Sequence, residues 1–361
     1  MTSRRILITG LSTYWGSRLA RSLEQEPDVE AIIGVDRRPP KMALERTEFV
    51  QVSDSHSLIR RIVQAAEIDT VVDTRLVVDS IVTSPRLAHE NNVVGTRNVL
   101  AACSGPDSFV RKVVFKSSAH YYGCEQDDPA FFTEDMRRPH PPRTAIEKDI
   151  LGAEAAVRDF GLRNPRATVS VLRFANCVGP AVRTSHRELF QHGLVPTILG
   201  FDPRAQFIHE DDVAGCLEHA VRHDLDGIFN CAADGVLALS EVISLLGRQN
   251  VPVLSPVATG LAAGVLGRVT GARLSPEMLQ QWRYGRGLDN RAFKATGYRY
   301  AYTTREAVLQ LRAFLRLAAI HPPTGDEYRY EQAVEEFLRR SPSVRPGAVA
   351  PPSRRNRPAE V

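Results

Sequence analysis

The sequence predicts an α/β protein, with a doubly wound parallel sheet in its first half and a smaller region after it. Six short runs rich in β-branched residues alternate with longer helical patterns over the first 175 residues. These runs are apolar at most positions, which is typical of strands that helices cover on both faces. In a sheet of this kind the ligand binds beyond the carboxyl ends of the strands.

The predicted elements follow one another in a regular order. The strands are RILITG, AIIGVD, EFVQV, DTVVD, KVVFKSS and TVSVLRF, and helices are predicted over residues 17–26, 55–67, 85–102 and 145–160. Pro85 directly after Ser84 is typical of a helix start that the serine caps. We assign residues 1–176 to the sheet domain and residues 177–330 to a smaller substrate-binding region that is partly interleaved with it. Residues 341–361, rich in proline and arginine, predict a disordered tail.

Composition and charge argue against several classes of function. The net charge of +4 is small for 361 residues, and part of it lies in the tail, so no nucleic-acid partner is predicted. Five widely spaced cysteines without a C-x-x-C pair favour reduced thiols in a cytoplasmic protein, with no disulfides and no metal site. The start of the chain, MTSRRILITG, has no apolar signal segment. Proline, glycine and Arg268 interrupt the apolar stretch at 251–270, so no membrane span is predicted.

A glycine turn joins the first strand to the first helix. In ILITGLSTYWGSRLARSL, Gly10 and Gly16 flank Thr13, Tyr14 and Trp15. Such a turn points backbone N–H groups and the amino terminus of a helix at an anion, as in sites that hold the diphosphate of a dinucleotide. A lone glycine pair could serve only a tight turn and close helix packing. The order of strand, glycines, helix, strand and acid favours cofactor binding by these five residues.

The acid in this order is Asp36, which ends AIIGVD twenty residues after Gly16. Its carboxylate can accept hydrogen bonds from an adenosine ribose and would repel a 2′-phosphate, which favours NAD. Arg37 and Arg38 follow directly and could pair with a 2′-phosphate, so NADP stays open. The predicted cofactor is NAD, with NADP as the alternative.

Five stretches of the chain carry a resemblance to a known family. TGLSTYWGSRL, NNVVGTRNVL, VVFKSSAHYYG, LRFANCVGP and FIHEDDVA occur in that order. They resemble the T-G-x-x-G-x-x-G turn, the N-V-x-G-T-x-N-V-L helix, the S-S-x-x-x-Y-G strand end, and the L-R-x-x-N-x-x-G-P and F-I-H-V-D-D-V-A segments. These belong to the extended short-chain dehydrogenases/reductases, specifically the NAD-dependent epimerase/dehydratase family that includes UDP-glucose 4-epimerases. The resemblance covers about residues 4–315.

The resemblance implies a Rossmann fold and roles for residues around the cofactor. Gly10 and Gly16 would flank the diphosphate, and Asp36 would hold the adenosine ribose. Asn92 would support the central helix and the loop beside the cofactor. The implied reaction is transient hydride transfer at a secondary alcohol of a nucleotide sugar.

The resemblance also implies roles at the reacting end of the site. Ser118 would hydrogen-bond the reacting oxygen of the substrate, Lys148 would contact the nicotinamide ribose, and Asn176 would lie at the mouth of the nucleotide-sugar pocket. Each residue has a structural alternative. Ser118 could bond its own backbone, Lys148 could be a surface lysine, and Asn176 with Arg173 could tie the strand end to its loop.

Three residues depart from the family pattern. Thr13 replaces the middle glycine of the turn, where a side chain is expected to weaken or reposition the cofactor. Arg75 stands among residues that are usually small, and it could fill the dinucleotide groove or clamp a phosphate. Thr144 replaces the tyrosine of Tyr-x-x-x-Lys.

The missing tyrosine would have been the general base. An aliphatic hydroxyl is a far weaker acid than a phenol with a pKa of about 10, and losing a positioned base costs about 10²–10⁴ in rate. His120, in the loop after Ser118, titrates in a suitable range, although an ordinary polar loop residue is the simpler interpretation. Glu147 precedes Lys148 and is predicted to be solvated.

Two functions therefore stay open. One is an NAD-dependent enzyme of the epimerase/dehydratase type acting on a small molecule such as a UDP-sugar, with Ser118, Lys148 and Thr144 at the catalytic positions. The other is a binding or regulatory module of the same fold without redox turnover. The resemblance also implies a homodimer through residues 85–102 and 145–160.

Overall fold

The computed structural model describes residues 3–52, 55–80, 83–253 and 275–320. Its central sheet has seven strands, which are Arg5–Thr9 (β1), Ala31–Asp36 (β2), Thr47–Gln51 (β3), Thr70–Asp73 (β4), Lys112–Ser118 (β5), Thr168–Phe174 (β6) and Gly227–Cys231 (β7). Their order is β3-β2-β1-β4-β5-β6-β7, and every neighbouring pair is parallel.

Apolar side chains lie on both faces of this sheet. In β1, Ile6 and Ile8 pack into the core on one face, and Leu7 packs into the core on the other. All three are fully buried. Burial of successive residues on opposite faces is the property expected of a parallel sheet covered by two layers of helices. The predicted α/β fold with a doubly wound parallel sheet is confirmed.

Helices cover each face. Those of the described residues are Tyr14–Leu23 (α1), His56–Ala65 (α2), Pro85–His89 (α3), Thr96–Ala102 (α4), Ala145–Arg163 (α5), Ser185–Phe190 (α6), Glu210–Arg222 (α7), Leu239–Leu245 (α8), Pro276–Tyr284 (α9), Arg291–Ala295 (α10) and Thr304–Ile320 (α11). The apolar sides of α1 and α7 pack on the face of Ile6, and those of α2, α4 and α5 pack on the face of Leu7.

The helix predicted over residues 85–102 is interrupted at its centre. It begins as predicted, with Ser84 accepting a hydrogen bond from the Leu87 amide and Pro85 in the first turn. Glu90–Gly95 then form a π-helical turn between α3 and α4. Within this turn Asn92 is fully buried, and its side chain binds both backbone groups of Val77, at 2.8 Å and 2.7 Å. The turn thus fixes the loop after β4, a tertiary contact that the local pattern does not show.

Within the described part of the chain, residues after 176 form three two-stranded ribbons. The pairs are Asn176–Val178 with Phe207–His209, Arg204–Ala205 with Leu237–Ala238, and Leu194–Ile198 with Gln249–Val253. β7 pairs with β6, so this later part of the chain also contributes to the central sheet.

The chain divides into two compact units, residues 1–312 and residues 313–361. In the second unit, the described residues 313–320 belong to α11. The domain boundary at residue 176 stays a prediction, and the tail predicted at 341–361 lies outside the described residues. Among the helices of the described ranges, none is both long and apolar enough to cross a membrane.

Candidate functional site

Two glycines shape the turn between β1 and α1. Gly10 has a φ of +84°, in the left-handed region that favours glycine, and its amide donates to the Val35 carbonyl at 3.0 Å. A Cβ atom on Gly16 would lie 2.3 Å from the Gly10 carbonyl oxygen. Both positions therefore require glycine, and α1 lies directly against the turn.

Thr13 caps the helix that follows. Its hydroxyl accepts a hydrogen bond from the Gly16 amide at 3.1 Å and donates to the Gly10 carbonyl at 2.7 Å. The helix consequently begins at Tyr14, three residues before the start predicted at residue 17. The threonine that replaces the family's glycine is thus bonded within the turn itself.

The first two amides of α1, those of Tyr14 and Trp15, have no acceptor within the helix. No acceptor for either amide is present among the other described residues. Two unsatisfied amides at the positive end of a helix dipole form a site for an anion. The geometry of the turn therefore suits a phosphate group.

Asp36 lies at the end of β2, next to this turn. One of its carboxylate oxygens accepts hydrogen bonds from the Ser12 amide at 2.9 Å and the Ser12 hydroxyl at 2.7 Å. The other accepts from the Arg37 amide at 2.6 Å. Asp36 therefore anchors the glycine turn to β2. Sequence reasoning missed Ser12, although a hydroxyl two residues after Gly10 is the signal that could have indicated this contact.

Arg75 lies beside the turn, next to Gly10 and Gly95. Its guanidinium pairs with Asp73, with nitrogen–oxygen distances of 2.7 Å and 3.0 Å, and the side chain of Arg75 is 9% exposed. A Cβ atom on Gly10 would lie 2.6 Å from Cγ of Arg75, and one on Gly95 would lie 2.6 Å from its Nη1. Arg75 lines both cavities while paired with Asp73, so the choice between filling the groove and clamping a phosphate stays open.

The Arg75 contact also sets the charge of its partner. Burial acts to raise the pKa of Asp73, but the charge and hydrogen bonds of Arg75 outweigh burial and hold that pKa below its usual value. Asp73 is therefore ionised at neutral pH, and the pair contributes little net charge to the groove.

Two cavities of about 720 and 350 Å³ lie at the carboxyl edge of the sheet. They share the lining residues Ser12, Thr13, Arg75 and Val77, so they meet at the glycine turn. Asp36 and Arg37 line the smaller cavity. The larger cavity is lined by Tyr14, Trp15, Ser118 and Asn176, among other residues. Most of the predicted cofactor and substrate residues therefore line one or the other of these two adjacent cavities.

Asn92, like Gly10, Gly16 and Lys148, is a predicted cofactor residue that does not line either cavity. Its side chain is fully buried against Val77 and lines neither cavity. Asn92 thus acts through the loop that it holds, while the neighbouring Asn91 lines the smaller cavity. The bonds to Val77 agree with the supporting role that the resemblance implies for Asn92, whose part in cofactor binding stays a prediction.

The larger cavity ends at a group of polar side chains. Ser118, at the end of β5, accepts a hydrogen bond from the His120 amide at 3.3 Å. Asn176 donates to the side-chain oxygen of Gln281 on α9 at 2.7 Å. The side-chain nitrogen of Gln281 lies 3.4 Å from Nε2 of His120. Burial, with the nearby charge of Arg286, lowers the pKa of His120 well below its usual value, so this imidazole is neutral.

The structure does not bring Thr144 and Lys148 to this space. Thr144 caps α5, where its hydroxyl accepts a hydrogen bond from the Glu147 amide at 3.2 Å. Lys148 is exposed, and neither residue lines a cavity. This geometry gives no support to a contact of Lys148 with a nicotinamide ribose, because α5 turns that position toward solvent, and the contact stays a prediction.

Glu147 takes a buried position on α5 instead, which corrects the prediction that it is solvated. It is 4% exposed and accepts hydrogen bonds from the Arg138 guanidinium at 2.7 Å and the Arg143 amide at 2.8 Å. The charge of Arg138 compensates for the burial of this carboxylate.

Replacing Thr144 with alanine is expected to reduce stability without affecting the cavities. Loss of a helix N-cap lowers the free energy of unfolding by about 1 kcal/mol. Urea denaturation of Thr144→Ala and of the matched Thr144→Ser variant, which keeps the hydroxyl, measures this loss. NAD affinity is expected to stay within twofold of wild type in both variants. A tenfold loss of affinity in Thr144→Ala would place Thr144 in the site after all.

Sequence reasoning missed a lysine in the larger cavity. Lys116 lies on β5 two residues before Ser118, is 6% exposed, and lines the cavity. Its amine lies 5.3 Å from the ring centre of Trp15 and 5.7 Å from that of Phe174. The signal was present in KVVFKSS, where a lysine follows three apolar residues within a buried strand.

Comparison with known protein families agrees with this geometry. A model of the NAD dependent epimerase/dehydratase family matches residues 6–232, which include β1 to β7 and the glycine turn.

The chain belongs to the NAD-dependent epimerase/dehydratase family.

Two other proteins have similar amino-acid sequences. An uncharacterized protein of Mycobacterium tuberculosis is 35% identical over 312 residues, which are 84% of this chain and 81% of that protein. The N-acetyl-α-D-glucosaminyl-diphospho-ditrans,octacis-undecaprenol 4-epimerase of Escherichia coli O157:H7 is 28% identical over 160 residues, which are 44% of each chain.

Solved structures of similar fold include sugar-nucleotide enzymes. The UDP-glucose 4-epimerase of Thermotoga maritima superimposes with a TM-score of 0.67 and 17% identity, over 87% of this chain and 99% of that chain. MoeE5, in complex with UDP-glucuronic acid and NAD, gives a TM-score of 0.64 and 20% identity over the same shares. At 17% and 20% identity, the similarity to these structures confirms the fold of the protein.

Proposed function

We propose that this protein binds NAD and acts on a nucleotide sugar through transient hydride transfer at a secondary alcohol. The observation that carries the proposal is the pair of adjacent cavities that meet at the glycine turn. Asp36 lines the smaller one, and Tyr14, Trp15 and Ser118 line the larger one. Family membership and the NAD and UDP-sugar ligands of MoeE5 support the same assignment.

The residues present fit a dinucleotide. Val35, Val52 and Ile59 give the smaller cavity apolar walls suited to an adenine, beside the carboxylate of Asp36 for a ribose. The free amides of Tyr14 and Trp15 suit the diphosphate. When bound, the nicotinamide supplies the acceptor and donor of a hydride.

The chain's own residues then bind and orient the substrate. Ser118 offers a hydroxyl to the reacting oxygen, in a cavity that residues of β5 and α9 line. Asn176, held by Gln281, has its amide fixed at the same end. Positioning of this kind lowers the entropic part of the barrier.

NAD is preferred over NADP in this proposal. The carboxylate of Asp36 lies in the smaller cavity, where it can accept from ribose hydroxyls and would repel a 2′-phosphate. Arg37 lines the same cavity and is the group through which NADP would bind.

Replacing Asp36 with asparagine is expected to weaken NAD binding about 10- to 100-fold, because a hydrogen bond to a charged group contributes about 1.5–3 kcal/mol. Isothermal titration of NAD and NADP into wild type and Asp36→Asn measures the change, and the preference for NAD over NADP should also shrink. Asp159→Asn, which removes the same charge from the exposed face of α5, is the matched control. Unchanged NAD affinity in Asp36→Asn would contradict the assigned ribose contact.

Binding of the substrate class is tested by thermal denaturation. A ligand present at 100 times its Kd adds about 2.7 kcal/mol to the free energy of unfolding. Wild-type protein is expected to gain stability with NAD and to gain more with NAD and a UDP-sugar together. Lack of stabilisation by either dinucleotide would overturn the proposal.

The second candidate is a cofactor-binding module without redox turnover. It is favoured by one observation, that both positions of the family's Tyr-x-x-x-Lys pair, Thr144 and Lys148, lie outside the cavities. Stabilisation by NAD with no further effect of UDP-sugars, and no NAD-linked turnover of them, would support this candidate. NAD-linked turnover that is lost in Ser118→Ala would exclude it.

We also propose a cytoplasmic homodimer. Leu87 on α3, Val94 in the π-helical turn and Leu162 on α5 are large apolar side chains that are 44–75% exposed. They lie on the helices that the resemblance implies for dimerisation. The five cysteines are free, as in a reducing compartment. Light scattering of wild type and Leu162→Arg tests the assembly.

A further inference from the structure

The side chain of Lys116 shares a face of the sheet with Ser118. Neighbouring residues on a strand point to opposite faces. Ser117 points toward α5, where its hydroxyl donates to Glu154, whereas Lys116 contacts Phe174 in the core on the other face. Residues two apart on β5 therefore present an amine and a hydroxyl to the same cavity, and both line it.

Few groups near the Lys116 amine offset its positive charge. The amine lies against the rings of Trp15 and Phe174, and no carboxylate in the described residues forms an ion pair with it. The acidic groups that face it are already engaged or neutral. Asp73 pairs with Arg75, and burial raises the pKa of the Cys177 thiol well above its usual value.

Glu210 lies farther along the same wall, next to Cys177. Its carboxylate is held by the amides of Ala181 and Val182. Burial consequently dominates at Lys116 and lowers the pKa of its amine to about 8, despite the opposing influence of Cys177 and Asp73. An amine of this kind changes charge within one unit of neutral pH.

We propose that Lys116 exchanges the proton of the substrate hydroxyl, in place of the tyrosine that the chain lacks. This inference rests on the proposed function. In the oxidative direction the neutral amine accepts the hydroxyl proton and becomes an ammonium. The carbon–oxygen single bond becomes a carbonyl as the hydride on that carbon passes to the oxidised nicotinamide of NAD. In the return direction the ammonium gives the proton back as the hydride returns to the carbon, so charge and atoms balance.

Other groups near the cavity fit this role less well. Tyr14 contributes a phenol, but burial and the charge of Glu210 raise its pKa, so it does not ionise at neutral pH. Tyr122 is bound to Asn230 and Arg173 through its hydroxyl and is not at the cavity. His120 faces the cavity, but its lowered pKa makes it a weak base.

The first test needs no turnover. The chain has five lysines, so protein grown with lysine carrying ¹³C at Cε gives five Cε signals. The signal that disappears in Lys116→Met is expected to titrate near pH 8 and to move when NAD is added. Lys148→Met, at an exposed position, is the matched control and should leave that signal unchanged. A Lys116 signal that titrates at the ordinary lysine pKa of about 10.4 overturns the proposal.

The second test separates this inference from the proposed function. For a UDP-sugar that wild-type protein turns over, kcat/KM is expected to rise as pH increases through 8. Lys116→Met should lower kcat about 10²–10⁴-fold and lose that rise, with the Kd for NAD unchanged within threefold. Lys116→Arg, which stays charged, should not restore turnover.

The outcomes of the second test are distinct. Activity of Lys116→Met within threefold of wild type overturns the role of Lys116 and leaves the proposed function standing. Failure of wild-type protein to bind NAD overturns the proposed function and, with it, this inference.

Discussion

Replacing Glu154 with alanine is expected to lower the free energy of unfolding by about 3–5 kcal/mol, because the change leaves a buried charge without its partner. Glu154 on α5 pairs with Arg173 on β6 at 2.7 Å, and their side chains are 5% and 2% exposed. The Arg173 guanidinium also lies 3.4 Å from the ring centre of Tyr121 and donates to the Tyr122 hydroxyl at 2.8 Å. Arg173 thus connects the sheet to α5, a larger structural role than tying its own strand end to a loop.

Guanidinium denaturation of Glu154→Ala measures this loss, and two further variants control it. Glu90→Ala removes an acid from the exposed Arg86–Glu90 pair and is expected to change stability by less than about 1 kcal/mol. The double variant Glu154→Leu with Arg173→Met removes both charges and should recover much of the loss. Equal losses in Glu154→Ala and Glu90→Ala would contradict the importance of the buried pair.

Replacing Lys116 with methionine is expected to stabilise the protein at pH 7 by about 1–3 kcal/mol. Lowering the amine pKa from 10.5 to about 8 corresponds to a cost of about 3 kcal/mol for burying the ammonium, at about 1.4 kcal/mol per pKa unit. Methionine has a similar length and carries no charge. A cavity residue that reduces stability in this way is typical of a functional position.

The sign of the pH dependence follows from the lowered pKa. Between pH 8 and 10.5 the unfolded chain binds more protons at Lys116 than the folded chain does, so wild-type stability rises with pH in that window. Below pH 8 the full cost is present. The advantage of Lys116→Met is therefore expected to shrink from pH 8 upward and to vanish near pH 10.5. Urea denaturation at four pH values checks this, with Lys148→Met as the exposed control. A constant difference at all pH values would contradict the buried ammonium.

Much of the fold was predictable because its determinants are local. Apolar runs with helical patterns between them indicated all six of the first strands, and the observed strands agree to within about one residue. β7 was not predicted, since GIFNC is too short and half-exposed to differ from a loop by pattern. The interruption at Glu90–Gly95 was also missed, because a π-helical turn depends on the bonds of Asn92 to another loop.

The candidate site was also predictable only in part. The positions of Gly10, Gly16 and Asp36 follow from the spacing of one strand, one turn and the next strand. The pairing of Arg75 with Asp73 could not be chosen over a phosphate contact, because both use the same charge. Glu147 is buried and Lys148 is exposed, the reverse of what the sequence predicted for their burial, since one residue along α5 turns a side chain by about 100°.

The sequence by itself determined the family and the first six strands, and it predicted a nucleotide site at the glycine turn, since all three depend on short contiguous motifs. Only the tertiary structure decided which side chains face that site. Thr144 became a helix cap, Lys148 points toward solvent, and Lys116 lines the cavity beside Ser118. The physical reason is that the direction of a side chain depends on where its element begins and on what packs against it, and both are set by residues distant in the chain.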